Sequence, residues 1–174
     1  IEGAAGVSVL SNEGVTLDND VRSANGNVEV IATRGDIGVK SITAPSGDVL
    51  VAAERGKIVL ETVSAGGGVE LRADQGVEVR DAANAGSGDL VISSRNDDLD
   101  FAGGSSILAS TSGSVLLTAS NGAIRTPPII NAGADVTLKS FSDLLLNNLI
   151  TSQAGTVTAE SISAGIALNS DVKA

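Results

Sequence analysis

Two stretches of sequence decide the fold: residues 26–39 read GNVEVIATRGDIGV, and residues 46–60 read SGDVLVAAERGKIVL. In each stretch a glycine precedes a run in which apolar residues alternate with other residues, and a second glycine precedes another such run. Alternation with a period of two is typical of a half-buried β-strand. Glycine supplies the backbone freedom that a sharp corner needs. The two stretches therefore predict short strands joined by tight corners.

The same rhythm recurs along the chain with a period of about 21 residues. Of the sixteen residues at the first and third positions of the repeat units, fifteen are Val, Ile or Leu, and the exception is Ala159. A second apolar pair follows the first corner, as in Ile37/Val39 and Ile58/Leu60. The units begin at Val7, Val28, Val49, Val69, Leu90, Val115, Val136 and Val157.

A third, weaker apolar position precedes a second glycine corner in each unit. It is occupied by Val21, Ile42, Val63, Ala83, Leu108, Ile129 and Ile150. Because strands this short are unstable alone, each unit is predicted to be one coil of a right-handed parallel β-helix, an all-β β-solenoid. We expect one segment over residues 1–174, with about eight coils of about 21 residues and three short strands per coil. At a strand spacing of about 4.8 Å, eight coils give a rod roughly 38 Å long.

Each coil contributes inward apolar residues to ladders that run along the rod. We expect Val51, Val59 and Leu71 in these ladders, whereas Glu70 faces water. Two irregularities interrupt the repeat. The fifth unit is longer and predicts a small loop insertion near residues 102–106, and residues 127–128 are a Pro-Pro pair that predicts a stiff corner.

The composition excludes several classes of site. The 174 residues include no His, Cys, Met, Trp or Tyr, and 21 Asp and Glu against 11 Lys and Arg give a net charge of -10. A thiol nucleophile, an imidazole base and a Cys/His zinc site are therefore absent. We predict no enzyme activity, no catalytic, cofactor-binding or metal-binding residues, no cofactor and no nucleic-acid partner. No apolar run reaches the roughly 18 residues of a membrane helix, so no membrane insertion is expected.

The two quoted stretches resemble the repeats of the filamentous haemagglutinin family of bacterial exoproteins, and the resemblance covers residues 7–168. It implies a right-handed parallel β-helix that forms the shaft of a large adhesin exported by two-partner secretion. The implied location is extracellular or on the bacterial cell surface. The family's amino-terminal secretion motifs are not visible, and the chain opens at Ile1, so we expect a mature product or a shaft fragment.

Three functions stay open at this point. The first is a non-enzymatic structural shaft, whose partners are adjacent coils of a longer polypeptide. The second is a filament-forming subunit that polymerises by stacking its end coils on copies of itself. The third is a glycan-binding or glycan-cleaving solenoid, with a host-surface or extracellular glycan or a protein receptor as partner.

Two acidic clusters are the candidates for chemistry. Asp97, Asp98 and Asp100 lie beside the longer fifth unit and would supply the paired carboxylates of a glycan-cleaving site. The alternative is a solvated corner in which Asp replaces glycine. Asp18 and Asp20 form a single acidic cluster without a periodic counterpart, which predicts loose association with counter-ions rather than a specific calcium site.

Overall fold

The computed structural model describes residues 1–101, 107–125, 129–169 and 171–174. These residues form an all-β parallel solenoid of about eight coils. In chain order the strands are β1 (Glu2–Gly3), β2 (Val7–Ser11), β3 (Val15–Leu17), β4 (Val21–Ser23), β5 (Val28–Ala32), β6 (Ile37–Ala44), β7 (Val49–Ala53), β8 (Ile58–Ala65), β9 (Val69–Ala73), β10 (Val77–Ala85), β11 (Leu90–Ser94), β12 (Leu99–Phe101), β13 (Ile107–Ser110), β14 (Val115–Ala119), β15 (Ile124–Arg125), β16 (Ile129–Ala132), β17 (Val136–Ser140), β18 (Leu144–Leu146), β19 (Ile150–Ser152), β20 (Val157–Ser161), β21 (Ile166–Leu168) and β22 (Val172–Lys173).

The first side of the solenoid is a sheet of eight parallel strands, in the order β2, β5, β7, β9, β11, β14, β17 and β20. Every strand of this sheet is five residues long and begins at a predicted unit start. Val28 lies beside Val7 on one side and beside Val49 on the other, and the same alignment continues to Val157. The repeat and the parallel β-solenoid fold are confirmed, whereas the right-handed sense of the coil stays a prediction.

The second and third sides share one larger sheet. In coils 2 to 4 their strands join into single bent strands, β6, β8 and β10, of eight, eight and nine residues. In coils 1 and 7 the two sides are separate strands, and the links between them are Asp18–Asn19–Asp20 and Asn147–Asn148–Leu149. Asn and Asp side chains favour turns because they compete for backbone hydrogen bonds. The expected three strands per coil are therefore present where such a link interrupts the strand, whereas coils 2 to 4 have two strands each.

The core consists of aliphatic ladders that run along the rod. Residues at equivalent positions, such as Val30, Val51 and Leu71, lie side by side and are fully buried. Branched aliphatic side chains fill this narrow interior evenly, and Phe101 is the one aromatic residue of the described core. Buried serines at the corners are all hydrogen-bonded, since no buried side-chain polar atom in the described residues lacks a partner.

Two expected core positions are wrong. Val59 is half-buried and faces outward, between the inward residues Ile58 and Leu60. The third-side column passes through Ile130 and not Ile129, because Ile130 pairs with Leu108 and Ile150. Successive side chains of a strand point to opposite faces, so an error of one residue exchanges the core and surface roles.

The two predicted irregularities, the loop insertion near residues 102–106 and the Pro127-Pro128 corner, lie outside the described residues. The alignment of the first side is nevertheless unchanged across the longer fifth coil. Leu90 pairs with Val115 and Ile92 with Leu117, as in a coil of ordinary length.

The second corner, between the third side and the next first-side strand, depends on glycine for close backbone packing. A Cβ on Gly47 would lie 2.5 Å from the carbonyl carbon and oxygen of Gly26 in the preceding coil. Real Cβ atoms are not found that close to backbone atoms, so the stacked corner excludes a side chain here. Gly38 contrasts with it, because it lies in strand β6 with no atom within 4 Å of its would-be Cβ.

We expect Val51→Asp and Leu71→Asp to destabilise the fold by several kcal/mol, because each would bury an unpaired carboxylate. Val59→Asp and Glu70→Lys are the matched surface variants, and each should change the free energy of unfolding little. Thermal melts followed by circular dichroism check this. Equal losses in the two pairs would show that the inward and outward assignment is wrong.

We expect Gly47→Ala to destabilise the solenoid by about 1–3 kcal/mol, because the new methyl group meets backbone that cannot move aside. Gly38→Ala is the control, and it should be neutral or stabilise the fold by up to about 1 kcal/mol through reduced unfolded-state entropy. Urea denaturation of both variants measures the difference. A neutral Gly47→Ala would contradict the tight stacking of the corners.

Candidate functional site

Polar side chains form hydrogen bonds from coil to coil along the second corner. Asn27 Oδ1 accepts from the backbone N–H of Asp48 (2.9 Å), and Asp48 Oδ1 accepts from the backbone N–H of Gly68 (2.8 Å). Asp89 Oδ1 accepts in the same way from the backbone N–H of Ser114 (2.8 Å). The chain turns here, so these N–H groups lack the ladder partner that a strand would give them. The Asp and Asn side chains replace that partner and join neighbouring coils.

Asp135 has the same role further along this corner. Its Oδ1 accepts from the backbone N–H (2.7 Å) and the hydroxyl (3.0 Å) of Thr156. These hydrogen bonds, that from the backbone first, lower the pKa of Asp135 below its ordinary value. A lowered folded-state pKa means that the ionised form stabilises the fold, and that this contribution is lost as the pH falls through the folded-state pKa.

Asp98, one of the three candidate carboxylates, holds the first corner, which follows the first-side strands. Its Oδ1 accepts from the backbone N–H of Ala123 (2.6 Å), and its Oδ2 forms an ion pair with Nη2 of Arg125 (2.8 Å). Asp36 uses the same geometry three coils earlier, where its Oδ1 accepts from the backbone N–H of Lys57 (3.0 Å). Asp98 is therefore a repeated corner residue whose two oxygens both have protein partners.

The other two candidate carboxylates are placed differently. The backbone N–H of Asp97 donates to Ser94 Oγ (3.3 Å), and Asp97 Oδ1 accepts from the backbone N–H of Asp98 (2.9 Å). Asp100 faces outward on β12 and is aligned with Glu78 and Arg125. Partial burial raises the pKa of Asp100, and the negative charges of Asp98, Asp97 and Glu78 add to this rise, while Arg125 opposes it. The geometry thus favours the corner interpretation for Asp97 and Asp98.

The acidic cluster of residues 18–20 also has a structural position. It forms the link between β3 and β4, and the carbonyl oxygen of Asp20 accepts a hydrogen bond from the amino group of Ile1 (2.7 Å). Within residues 1–101, 107–125, 129–169 and 171–174, no group of three or more acidic side chains is arranged to hold a metal ion.

A shallow groove of about 540 Å³ lies along the first corner in coils 3 to 6. Small side chains are part of its lining, among them Ala52 and Ser93. Three arginines line it, Arg55, Arg72 and Arg95. The sequence analysis missed this groove, and the signal that points to it is the position of basic residues at or near the same corner in consecutive coils.

The last coil exposes residues that face inward in every other coil. Val157 and Ala159 are half-buried, whereas their counterparts in the preceding coil, Val136 and Leu138, are fully buried. On the other sides Ile166, Leu168 and Val172 are exposed. The outer edge of β20 has no further strand beside it. This end therefore presents an unpaired strand edge and exposed apolar side chains.

Comparison of the chain with protein-family models, with curated proteins and with solved structures found no match. The described residues contain no helix long and apolar enough to span a lipid bilayer. The proposed function therefore rests on the corners, the groove and the exposed end coil.

We expect Asp98→Ala to cost about 1–3 kcal/mol, because it leaves the Ala123 N–H without an acceptor and Arg125 without its ion pair. Asp98→Asn keeps an acceptor oxygen and should cost clearly less, as Asn27 serves the same purpose at the second corner. Urea denaturation at neutral pH compares the two variants. An equal loss in both would show that the ion pair, and not the backbone hydrogen bond, holds the corner.

Proposed function

We propose that the chain is a non-enzymatic structural shaft, a rigid rod that gives reach to a larger secreted or cell-surface adhesin. The observation that carries the proposal is the continuous backbone ladder of the first side. Its eight strands stack without a shift of register, and the longer fifth coil does not interrupt them. A fold of this kind spans distance at constant width, because each coil contacts only its neighbours.

The surface is consistent with this proposal. The groove along the first corner is shallow and open, and the best-placed carboxylate, Asp98, is engaged at a corner. The net charge of -10 keeps separate rods soluble and apart. The resemblance to filamentous haemagglutinin repeats supports an extracellular or bacterial cell-surface location, with a host glycan or a protein receptor as the eventual partner.

The exposed end coil favours one second candidate, a subunit that polymerises end to end. Parallel stacking of one copy on the next is a heterologous contact that does not close, and such contacts build fibres. The inward residues Val157, Ile166 and Leu168 would then be buried by a second copy rather than by further coils of the same polypeptide.

Negative-stain electron microscopy at rising protein concentration tests both candidates. The shaft predicts single rods about 40 Å long at every concentration. The polymerising subunit predicts fibres that lengthen with concentration, that Val157→Asp abolishes and that the outward-facing variant Thr158→Asp leaves intact. Compact particles without a long axis would contradict both candidates. Antibody labelling of intact source cells tests the surface location.

A further inference from the structure

The groove at the first corner is lined by more positive than negative side chains, although the whole molecule is acidic. Three arginines, Arg55, Arg72 and Arg95, line the groove there, against two carboxylates, Glu54 and Asp74. The chain as a whole has a net charge of -10. A groove whose charge differs in sign from its surroundings attracts partners that the rest of the surface repels.

The arginines of the groove are available to an incoming anion. Arg72 Nη1 lies 3.7 Å from Glu70 Oε1, and Arg95 Nη1 lies 3.7 Å from Asp74 Oδ1. Both arginine side chains are more than half exposed to solvent. Exposed pairs at this distance add little to stability, so they exchange partners readily. Arg55 has no ion pair within the part of the chain that the structure describes. A guanidinium group binds a carboxylate through two parallel hydrogen bonds.

The same corner continues into two exposed apolar residues, Phe141 and Ile162, which together are called the apolar step. The backbone N–H of Phe141 donates to Ala119 and that of Ile162 donates to Ser140, so both residues follow the first-side strands as Arg95 does. Phe141 is 41% exposed and Ile162 is 68% exposed. Ser120, which lines the groove, lies in the coil between Arg95 and Phe141. The basic groove and the apolar step thus form one continuous edge.

We propose that this edge, made by Arg55, Arg72, Arg95, Ser120 and Phe141, binds an extended acidic peptide segment of a partner protein. The carboxylates of the segment pair with the arginines, and an apolar residue further along packs on Phe141. Arg55 belongs to coil 3 and Phe141 to coil 7, so the edge spans about 19 Å along the rod. An extended peptide covers that distance with about six residues.

The division of the edge into a charged part and an apolar part favours a peptide over an acidic polysaccharide. A polysaccharide with regular carboxylates is uniform along its length and is matched by arginines that continue from coil to coil. At this corner the last arginine is Arg95 in coil 5, and Phe141 and Ile162 follow in coils 7 and 8. A peptide offers both kinds of side chain in sequence. The proposal does not depend on whether the ends of the rod stack.

The experiment is a titration of the full chain, labelled with nitrogen-15, with a synthetic peptide of four glutamates followed by Ser-Leu-Leu. We expect amide shifts that cluster at residues 52–55, 72–74, 93–95, 120 and 141. Arg55→Ala combined with Arg95→Ala should weaken binding at least about fivefold, since charge-assisted hydrogen bonds are lost. Raising the salt concentration should weaken binding of the original chain in the same direction.

Matched controls separate the proposed contacts from general charge effects. Arg22→Ala removes an exposed cation on the third side and should leave the peptide affinity unchanged. Phe141→Ser should weaken binding of the peptide that contains glutamates and leucines. It should not weaken binding of a peptide in which serine replaces the leucines. Circular dichroism melts confirm that every variant is folded.

Three results would overturn the proposal. The first is the absence of clustered shifts at millimolar peptide. The second is equal weakening by Arg22→Ala and by the double arginine variant. The third is tighter binding of polygalacturonate than of the peptide, insensitive to Phe141→Ser, which would assign the edge to an acidic polysaccharide. None of these results bears on the rod shape seen by electron microscopy.

Discussion

Hydrogen bonding between successive coils is the constraint on which the rest of the structure depends. Each strand is three to nine residues long over most of the rod and has its partners about one coil away in sequence. In the strands, backbone N–H groups have carbonyl partners in the neighbouring coil. At the corners the chain turns, and the N–H groups no longer point along a regular ladder. The structure solves this with two devices, glycine where the backbones of two coils touch and Asp or Asn where an N–H group needs an acceptor. An amide without a hydrogen-bond partner is costly, so the corners restrict the sequence as well as the core does.

The acidic composition follows in part from that constraint. Asp36, Asp48, Asp89, Asp98 and Asp135 each accept a backbone hydrogen bond from the next coil. Carboxylates that sequence reasoning assigns to chemistry or to solvation are therefore structural at these positions. Lys and Arg side chains have no acceptor atom and cannot accept these backbone hydrogen bonds, so their placement along the first corner carries more information about partners.

The sequence predicts the first side almost completely, because a regular period with Val, Leu or Ile at nearly every alternate position leaves one register for the strands. It predicts the third side less well. Ile129 and Ile130 are both apolar, so the pattern does not say which one faces inward, and only the pairing with Leu108 decides it. The union of two sides into β6, β8 and β10 depends on the absence of a turn-forming link, which periodicity does not report. The arginine groove is harder to predict, because Arg55, Arg72 and Arg95 occupy different positions of the repeat and share only their nearness to the first corner in consecutive coils.

The longer fifth coil has a consequence for how such rods diversify. Twenty-five residues separate Leu90 from Val115, yet the two pair as neighbours in an undisturbed ladder. The four additional residues of this coil thus leave the pairing of the first side unchanged. A solenoid with this property can lengthen a coil away from the first side while that side keeps its register. Foreign segments grafted there would be displayed at a fixed height along the rod, and successive grafts would be spaced in steps of about 4.8 Å.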